Sequence, residues 1–216
     1  MRSILFLIIL LTLSSCETTE LDLTSNPNAL SPENASVDLF INNVQEDFAN
    51  FVNSMGDVGA RLTRIAQMSG DRMYQDAYSP SSFSGVWSSA YQGMMEDLRV
   101  MNGIAAENGL TYHIGMGQVM QAYILMTLVD YFGDVPYTEA LLGAENLNPA
   151  ADSGQSVYNS ALGLLDSAIS NFSGGGPAPQ YDMYYGGNAD GWIKAANSIK
   201  KRLGKIGIST VNLIMN

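Results

Sequence analysis

The stretch from about Tyr112 to Phe132 limits the possible fold more than any other part of the chain. Val119, Met120, Tyr123, Ile124, Leu125, Met126, Leu128 and Val129 cover almost the whole circumference of a helix, with no Asp, Glu, Lys or Arg before Asp130. A helix with no wet face has to be enclosed by other elements. Gly133 terminates it, and Pro136 prevents its resumption.

The enclosing elements are helices as well, since nothing after the first 33 residues alternates apolar and polar side chains long enough to demand a sheet. Val37, Phe40, Ile41, Val44, Phe48, Phe51, Val52 and Met55 mark one face of a first helix, from about Asn34 or Ser36 to a stop at Gly56. A short second helix is predicted over about Ala60 to Met68, closed by Ser69-Gly70, with a loop from Asp71 to Gly85. Val86, Trp87, Ala90, Tyr91, Met94, Met95, Leu98, Met101, Ile104 and Ala105 share the face of a third, stopped by Asn108-Gly109. A fifth runs from about Gln155 to Phe172 on Val157, Ala161, Leu164, Leu165, Ala168, Ile169 and Phe172, and Gly174-Gly175-Gly176-Pro177 breaks it. The last clear helix starts near Asp190 and carries Trp192, Ile193, Ala196 and Ile199. Helices with short links give an all-α, solenoid-like stack. The Tyr, Ala and Leu rhythm of the fifth is that of a tetratricopeptide second helix.

Ahead of this body, Met1-Arg2 and the apolar run Ile4 to Leu13 have the form of a signal-peptide h-region over residues 1–15. The run is too short to span a bilayer, which takes roughly 20 apolar residues. Leu13-Ser14-Ser15-Cys16 matches the bacterial lipobox, in which small residues precede a cysteine whose thiol takes the diacylglycerol. Cys16 is the single cysteine of the chain, so its acylation leaves no disulfide, and stability must come from packing. A lipid-anchored localisation follows. Residues 16–33 are polar and acidic, read as a flexible tether ahead of a helical domain over 34–203.

The formal charge is −11, and its distribution is uneven. All 21 acidic residues lie at or before Asp190, whereas five of the ten basic ones lie between Lys194 and Lys205. An acidic body argues against nucleic acid, whose binding requires neutralised phosphates.

Catalytic chemistry finds few candidates. His113 is the single histidine, which leaves no His pair for zinc, and no nucleophile-elbow pattern surrounds any serine. It reads as structural or surface. Glu96 and Asp97 are adjacent, so they diverge by about 100° on a helix and do not suit paired-carboxylate hydrolysis; both read as solvated surface. Gly115-Met116-Gly117 lacks the strand that a dinucleotide loop requires. No catalytic residue, metal ligand or cofactor is therefore assigned. What stands out is aromatic surplus outside the helix stripes, Tyr74, Tyr78 and Phe83 in one loop and Tyr181, Tyr184 and Tyr185 in another. Sugars stack on such rings, because pyranose faces carry apolar C–H groups, but loop tyrosines also pack back on a core with the hydroxyl in water. Tyr74, Tyr78 and Tyr184 are the candidate ligand contacts. Trp87 and Trp192 lie in stripes and read as core.

Three segments together resemble the SusD/RagB family. Asp130-Tyr131-Phe132-Gly133-Asp134-Val135-Pro136-Tyr137-Thr138-Glu139-Ala140-Leu141 is similar to its helix-end and turn signature. The helix Ser156 to Ile169 is similar to its tetratricopeptide helix. The run from Asp182 through Tyr184-Tyr185-Gly186-Gly187 and Trp192 to Ala196-Asn197-Ser198-Ile199-Lys200 resembles its Asp…Tyr-Gly-Gly…Trp…Ala-Asn-Ser signature, and the lipobox at Cys16 agrees.

The resemblance implies a tetratricopeptide-like helical fold, of which this chain is the N-terminal portion. It implies a non-enzymatic surface lipoprotein of the outer membrane that captures oligosaccharides or polysaccharides, in some members peptides, and delivers them to a SusC-like TonB-dependent transporter. The matched motifs are scaffold motifs, so no binding residue is carried over. Family members run to more than twice this length, and residues 204–216 depart from the pattern. Gly204 and Gly207 each weaken a helix by roughly 1 kcal/mol, so the helical period is expected to be lost there. A truncated or frame-shifted product is expected. Two rivals to glycan capture stand beside it, a helical-repeat scaffold lipoprotein that binds protein partners and an inert fragment.

Overall fold

A computed structural model describes residues 36–67 and 79–214, the last stretch from 204 as backbone. The signal segment, Cys16, the tether, and Tyr74 and Tyr78 lie outside the described residues. Among the described residues the regular structure is helical, with an isolated antiparallel bridge between Val135 and Asp152. None of their helices is long and apolar enough to cross a membrane.

Helix α1 spans Val37–Leu62. It starts where the Ser36 hydroxyl accepts the Asp38 amide N–H at 3.2 Å, with Asp38 in the first turn, where negative charge suits the helix dipole. The predicted stop at Gly56 does not occur, and the helix runs on to Leu62; of the second helix predicted over about Ala60 to Met68, only Ala60–Leu62 is helical, as the last turn of α1, and the chain turns from Thr63 onward. A glycine inside a helix costs about 1 kcal/mol, and the flanking tertiary contacts outweigh it. Phe51 and Met55 are buried just before Gly56, and the Tyr131 hydroxyl donates to the Met55 carbonyl at 2.7 Å.

A 3₁₀ turn, Pro80–Phe83, leads into α2 (Ser84–Trp87), which continues through a π-helical stretch, Ser88–Met95, into α3 (Glu96–Glu107). The helix predicted from Val86 to the Asn108-Gly109 stop is therefore present, with Gly109 at φ +66°. Its middle is wound more loosely than an α-helix.

Helix α4 covers Thr111–Phe132 and lies at the centre. Its N-terminal half, with Met116 and Met120, packs with Leu98, Met101, Leu165 and Trp192. The C-terminal half, with Ile124, Leu125 and Leu128, packs with Phe51, Met55, Met94 and Val157. Two glycines in α4 permit this closeness. A Cβ on Gly115 would stand 3.0–3.2 Å from three atoms of the Phe172 ring, and one on Gly117 would stand 2.7 Å from Leu98 Cδ2. Gly115-Met116-Gly117 is thus a packing device.

Gly133, at φ +78°, ends α4 as predicted. Asp134 then accepts the Gly154 amide N–H at 2.9 Å, at the first residue of α5 (Gly154–Ser173), and Ser153 caps the same end through the Ser156 amide. Val157, Ala161, Leu165, Ala168 and Phe172 form the buried stripe of α5. Helix α6 spans Ala189–Ile214. Its backbone stays helical past Gly204 and Gly207, which corrects the expectation of a lost period after Leu203. Extending a helix already nucleated over several turns adds a hydrogen bond per residue without a new nucleus.

Replacing Gly115 by Val puts branched carbon into the Phe172 ring and overpacks the core. A loss of about 1–3 kcal/mol is expected in denaturant unfolding of the full chain. Wild-type stability in that variant would show that α4 and α5 are not held this closely.

Candidate functional site

The loop between α5 and α6 is built around two polar side chains. Asp182 accepts five donors, the Tyr184 and Tyr185 amides on Oδ1 at 3.1 and 3.0 Å, and on Oδ2 the Gly187 amide at 3.0 Å, the Trp192 indole at 2.8 Å and the Tyr112 hydroxyl at 3.3 Å. Burial works to raise its pKa, but the Tyr185 amide, the indole and the Gly187 and Tyr184 amides outweigh that and hold it below the usual carboxylate range. Gln45, buried on α1, grips the same loop from the other side. Its amide donates to the Tyr181 carbonyl at 3.0 Å and accepts the Met183 amide at 2.8 Å, as a neighbouring strand would.

These bonds hold a row of large side chains outward. Tyr181, Met183, Tyr184 and Tyr185 remain 39–59 % exposed although their backbone is pinned. Tyr184 and Tyr185 each meet the buried Trp192 edge-on, at centroid distances of 5.8 and 5.0 Å, and Trp192 stacks on Phe172 behind. Phe48 contacts both Tyr184 and Tyr123 edge-on, at 6.0 and 5.4 Å. Gly191 lets the Tyr185 ring lie against the start of α6, since a Cβ there would come within 2.6 Å of it.

Together these rings line a groove of about 530 Å³ between α1, α4 and α6, with Lys194 and Ser198 as its polar groups. The volume is in the range of small-molecule sites, about 300–1,000 Å³, and the lining has their composition, mostly apolar and aromatic with a few polar groups. Tyr184, the candidate contact among the described residues, lines this groove. Its hydroxyl is already committed to the Gln45 carbonyl at 2.9 Å, so its ring is the part left for a ligand. Burial raises its pKa. Tyr185, named with the aromatic surplus of this loop but not chosen as a contact, shares the groove, as does Tyr123, which the sequence placed only in the apolar circumference of α4. Gln45 was also missed, although a glutamine inside the apolar stripe of α1 is the signal that could have marked it.

The other candidates fall elsewhere. His113 is buried, with Nε2 2.8 Å from Asp38 Oδ1, which ties α4 to the start of α1. Glu96 pairs with Arg99 through two bonds of 2.8 and 2.6 Å. Asp97 is not the solvated carboxylate expected. It is half-buried against Asn43 at 2.7 Å, and burial raises its pKa. Trp192 is core as expected, whereas Trp87 is half-buried, stacked on Tyr91 at 5.3 Å and tilted on Phe132 at 5.1 Å. Among the described residues no group of three or more His, Cys, Asp or Glu could hold a metal ion.

Comparison with known proteins fits this architecture. The model of the SusD-like_2 family, described as starch-binding associating with outer membrane, matches residues 27–213. No curated protein matches the chain in sequence. A SusD/RagB family protein from Bacteroides thetaiotaomicron VPI-5482 superposes with a TM-score of 0.65 at 23 % identity, over 78 % of this chain and 37 % of that one. A SusD-like protein from the same organism superposes with a TM-score of 0.53, also at 23 % identity, over 64 % of this chain and 29 % of that one. The chain thus spans about a third of the length of these solved relatives. The fold it shares with them is the tetratricopeptide-like helical stack.

Asp182→Asn removes the charge that gathers the loop and is expected to lower stability by about 2 kcal/mol at pH 7, read by denaturant unfolding. Because the folded carboxyl sits below its unfolded value, its contribution is present above that value and lost as pH falls through the folded one. Wild-type stability should therefore drop below about pH 4, and the variant should lose part of that dependence.

Proposed function

Since the chain belongs to the SusD-like family of starch-binding proteins associating with the outer membrane, we propose that it captures glycans at the cell surface as a lipoprotein anchored through Cys16. The captured oligosaccharide passes to a SusC-like TonB-dependent transporter, and no bond of the glycan is broken on this chain. Residues 1–15 act as the signal peptide and 16–33 as the tether of the helical domain over 34–203, with 204–216 as a divergent tail.

The observation that carries this reading is the rigid aromatic wall of the groove. Tyr184 and Tyr185 stand exposed beside a concavity, their backbone fixed by Asp182 and Gln45 before any ligand arrives. A pyranose face is apolar at its C–H groups and polar at its rim, which suits ring faces with sparse polar groups such as Lys194 and Ser198. A wall already ordered loses little conformational entropy on binding. The loop tyrosines Tyr74 and Tyr78 are kept as further candidate contacts.

A second reading is a scaffold that binds protein. It is favoured by Tyr181 and Met183, each 59 % exposed next to the groove. Affinity electrophoresis of the full chain in gels carrying soluble starch, xylan or mixed-linkage β-glucan separates the two. Glycan capture requires retardation by at least one polysaccharide, weakened about tenfold by Tyr185→Ala. Tyr184→Phe keeps the ring and should keep binding, while losing about 1 kcal/mol of stability with the bond to Gln45. Retardation by none of the polysaccharides, with the chain folded by circular dichroism, would favour the scaffold.

Anchoring has its own test. Wild-type chain expressed with radiolabelled palmitate should carry label and fractionate with the outer membrane, and Cys16→Ala should do neither. A labelled Cys16→Ala chain would end the assignment.

A further inference from the structure

A second concavity lies away from the aromatic groove, between the π-helical stretch with α3 on one side and the turn after α4 on the other. Gln92, Glu96 and Arg99 line one wall, and Leu141, Leu142 and Glu145 line the other, around a volume of about 550 Å³. Both walls carry backbone that is seldom adopted. Ser88–Met95 is π-helical, and Leu141 sits at φ +63°, a left-handed conformation rarely adopted by a leucine. Such conformations persist where surrounding contacts enforce them, and they gather at ligand sites.

Those contacts are present, so the cleft is preformed. The Tyr91 hydroxyl donates to the Pro136 carbonyl at 2.7 Å and joins the two walls. Asp152 accepts the Tyr137 and Thr138 amides and the Thr138 hydroxyl, each at 2.8 Å. Glu139 accepts the Ala150 amide and the Asn146 side chain, each at 3.0 Å. On the other wall the two bonds between Arg99 and Glu96 hold the guanidinium and the carboxylate in a planar fork.

The ligand class follows from the lining. Glu96 and Arg99 neutralise each other, and Glu145 leaves a single negative charge, so an anion is disfavoured. Gln92 offers donors and an acceptor, Arg99 offers further N–H groups and Glu145 offers acceptor oxygens, which suits neighbouring hydroxyls that donate and accept at once. Leu141 and Leu142 supply an apolar face for ring C–H groups. We infer that this cleft is a second glycan subsite, independent of the aromatic groove, which takes an uncharged pyranoside through Gln92, Arg99 and Glu145. The inference rests on the glycan-capture reading.

The test is isothermal titration of the full chain in detergent with maltoheptaose, with oligogalacturonate as the charged counterpart. Gln92 and Glu145 are exposed, so the double variant Gln92→Ala/Glu145→Ala is expected to fold, which circular dichroism checks. Two classes of site are expected in the wild type. Tyr185→Ala should retain one class, and Gln92→Ala/Glu145→Ala should weaken that class about tenfold. Arg99→Lys keeps the charge but loses the planar fork, and should weaken the same class. Wild-type titration in the double variant, with Tyr185→Ala still impaired, would overturn the second subsite and leave the groove reading standing. Equal binding of oligogalacturonate at the Gln92-dependent class would overturn its preference for uncharged sugar. Absence of any binding by the wild type, to maltoheptaose and to the three polysaccharides alike, would overturn both readings.

Discussion

Everything in this molecule is arranged around the need to keep α4 out of water. A 22-residue helix that is apolar on all sides cannot be satisfied by one partner. It has to be enclosed, and the enclosure is shared between α1 and α3 on one side and α5 and α6 on the other. Close approach from both directions requires small residues where the flanking side chains are large. Gly115 accommodates Phe172 and Gly117 accommodates Leu98 for that reason. The remaining space is filled largely by methionines, Met94, Met95, Met101, Met116, Met120 and Met126, all fully buried. Their unbranched, polarisable side chains fit irregular gaps between helices of unequal winding.

Apolar packing of this kind sets depth but only weakly sets register, and the polar ties supply the register. Asp130, at the end of α4, accepts the Tyr158 hydroxyl of α5 at 2.5 Å and Arg202 of α6 at 2.7 Å, so one carboxylate joins three helices. Lys200 of α6 pairs with Asp166 of α5, about two turns along α5 from Tyr158. Exposed ion pairs add little stability, about 0–1 kcal/mol each, so their role is to fix which turn of α6 faces which turn of α5. They also bear on the charge asymmetry of the chain. Two of the basic residues near its end, Lys200 and Arg202, face acidic partners on the preceding helices, and no nucleic acid or membrane patch is needed to explain those two.

The helices themselves were legible because burial imposes periodicity. The limits of α4 and α5 fall within a residue or so of those read from Gly109, Gly133 and the Gly174-Gly175-Gly176 break. Where the reading failed, tertiary contacts decided against local preference. Gly56 looks like a stop until the Tyr131 hydroxyl is placed on the Met55 carbonyl, a contact 76 residues apart in the chain. The π-helical stretch had a trace in the sequence. Val86-Trp87, Ala90-Tyr91 and Met94-Met95 repeat every four residues, slower than the 3.6 of an α-helix, and looser winding keeps all three pairs on one face. The same winding brings Gln92 to the cleft opposite Leu141.

The candidate binding surfaces were less legible, because exposure of an aromatic ring is not a local property. Tyr181, Tyr184 and Tyr185 are chemically alike and lie within five residues. What separates them is their partners, Gln45 across 139 residues for the Tyr184 hydroxyl and Gly191 for the Tyr185 ring. Asp182 is the pivot of that division. By taking the loop amides and the Trp192 indole on one carboxylate, it removes the need for the tyrosines to fold inward and satisfy the backbone themselves. The loop is thereby stable with its large side chains outside. An apolar surface that costs nothing further to order is the condition under which weak ring-face contacts with a sugar yield net affinity. A ring free to collapse onto the core would lose most of the same contacts to the entropy of being held out.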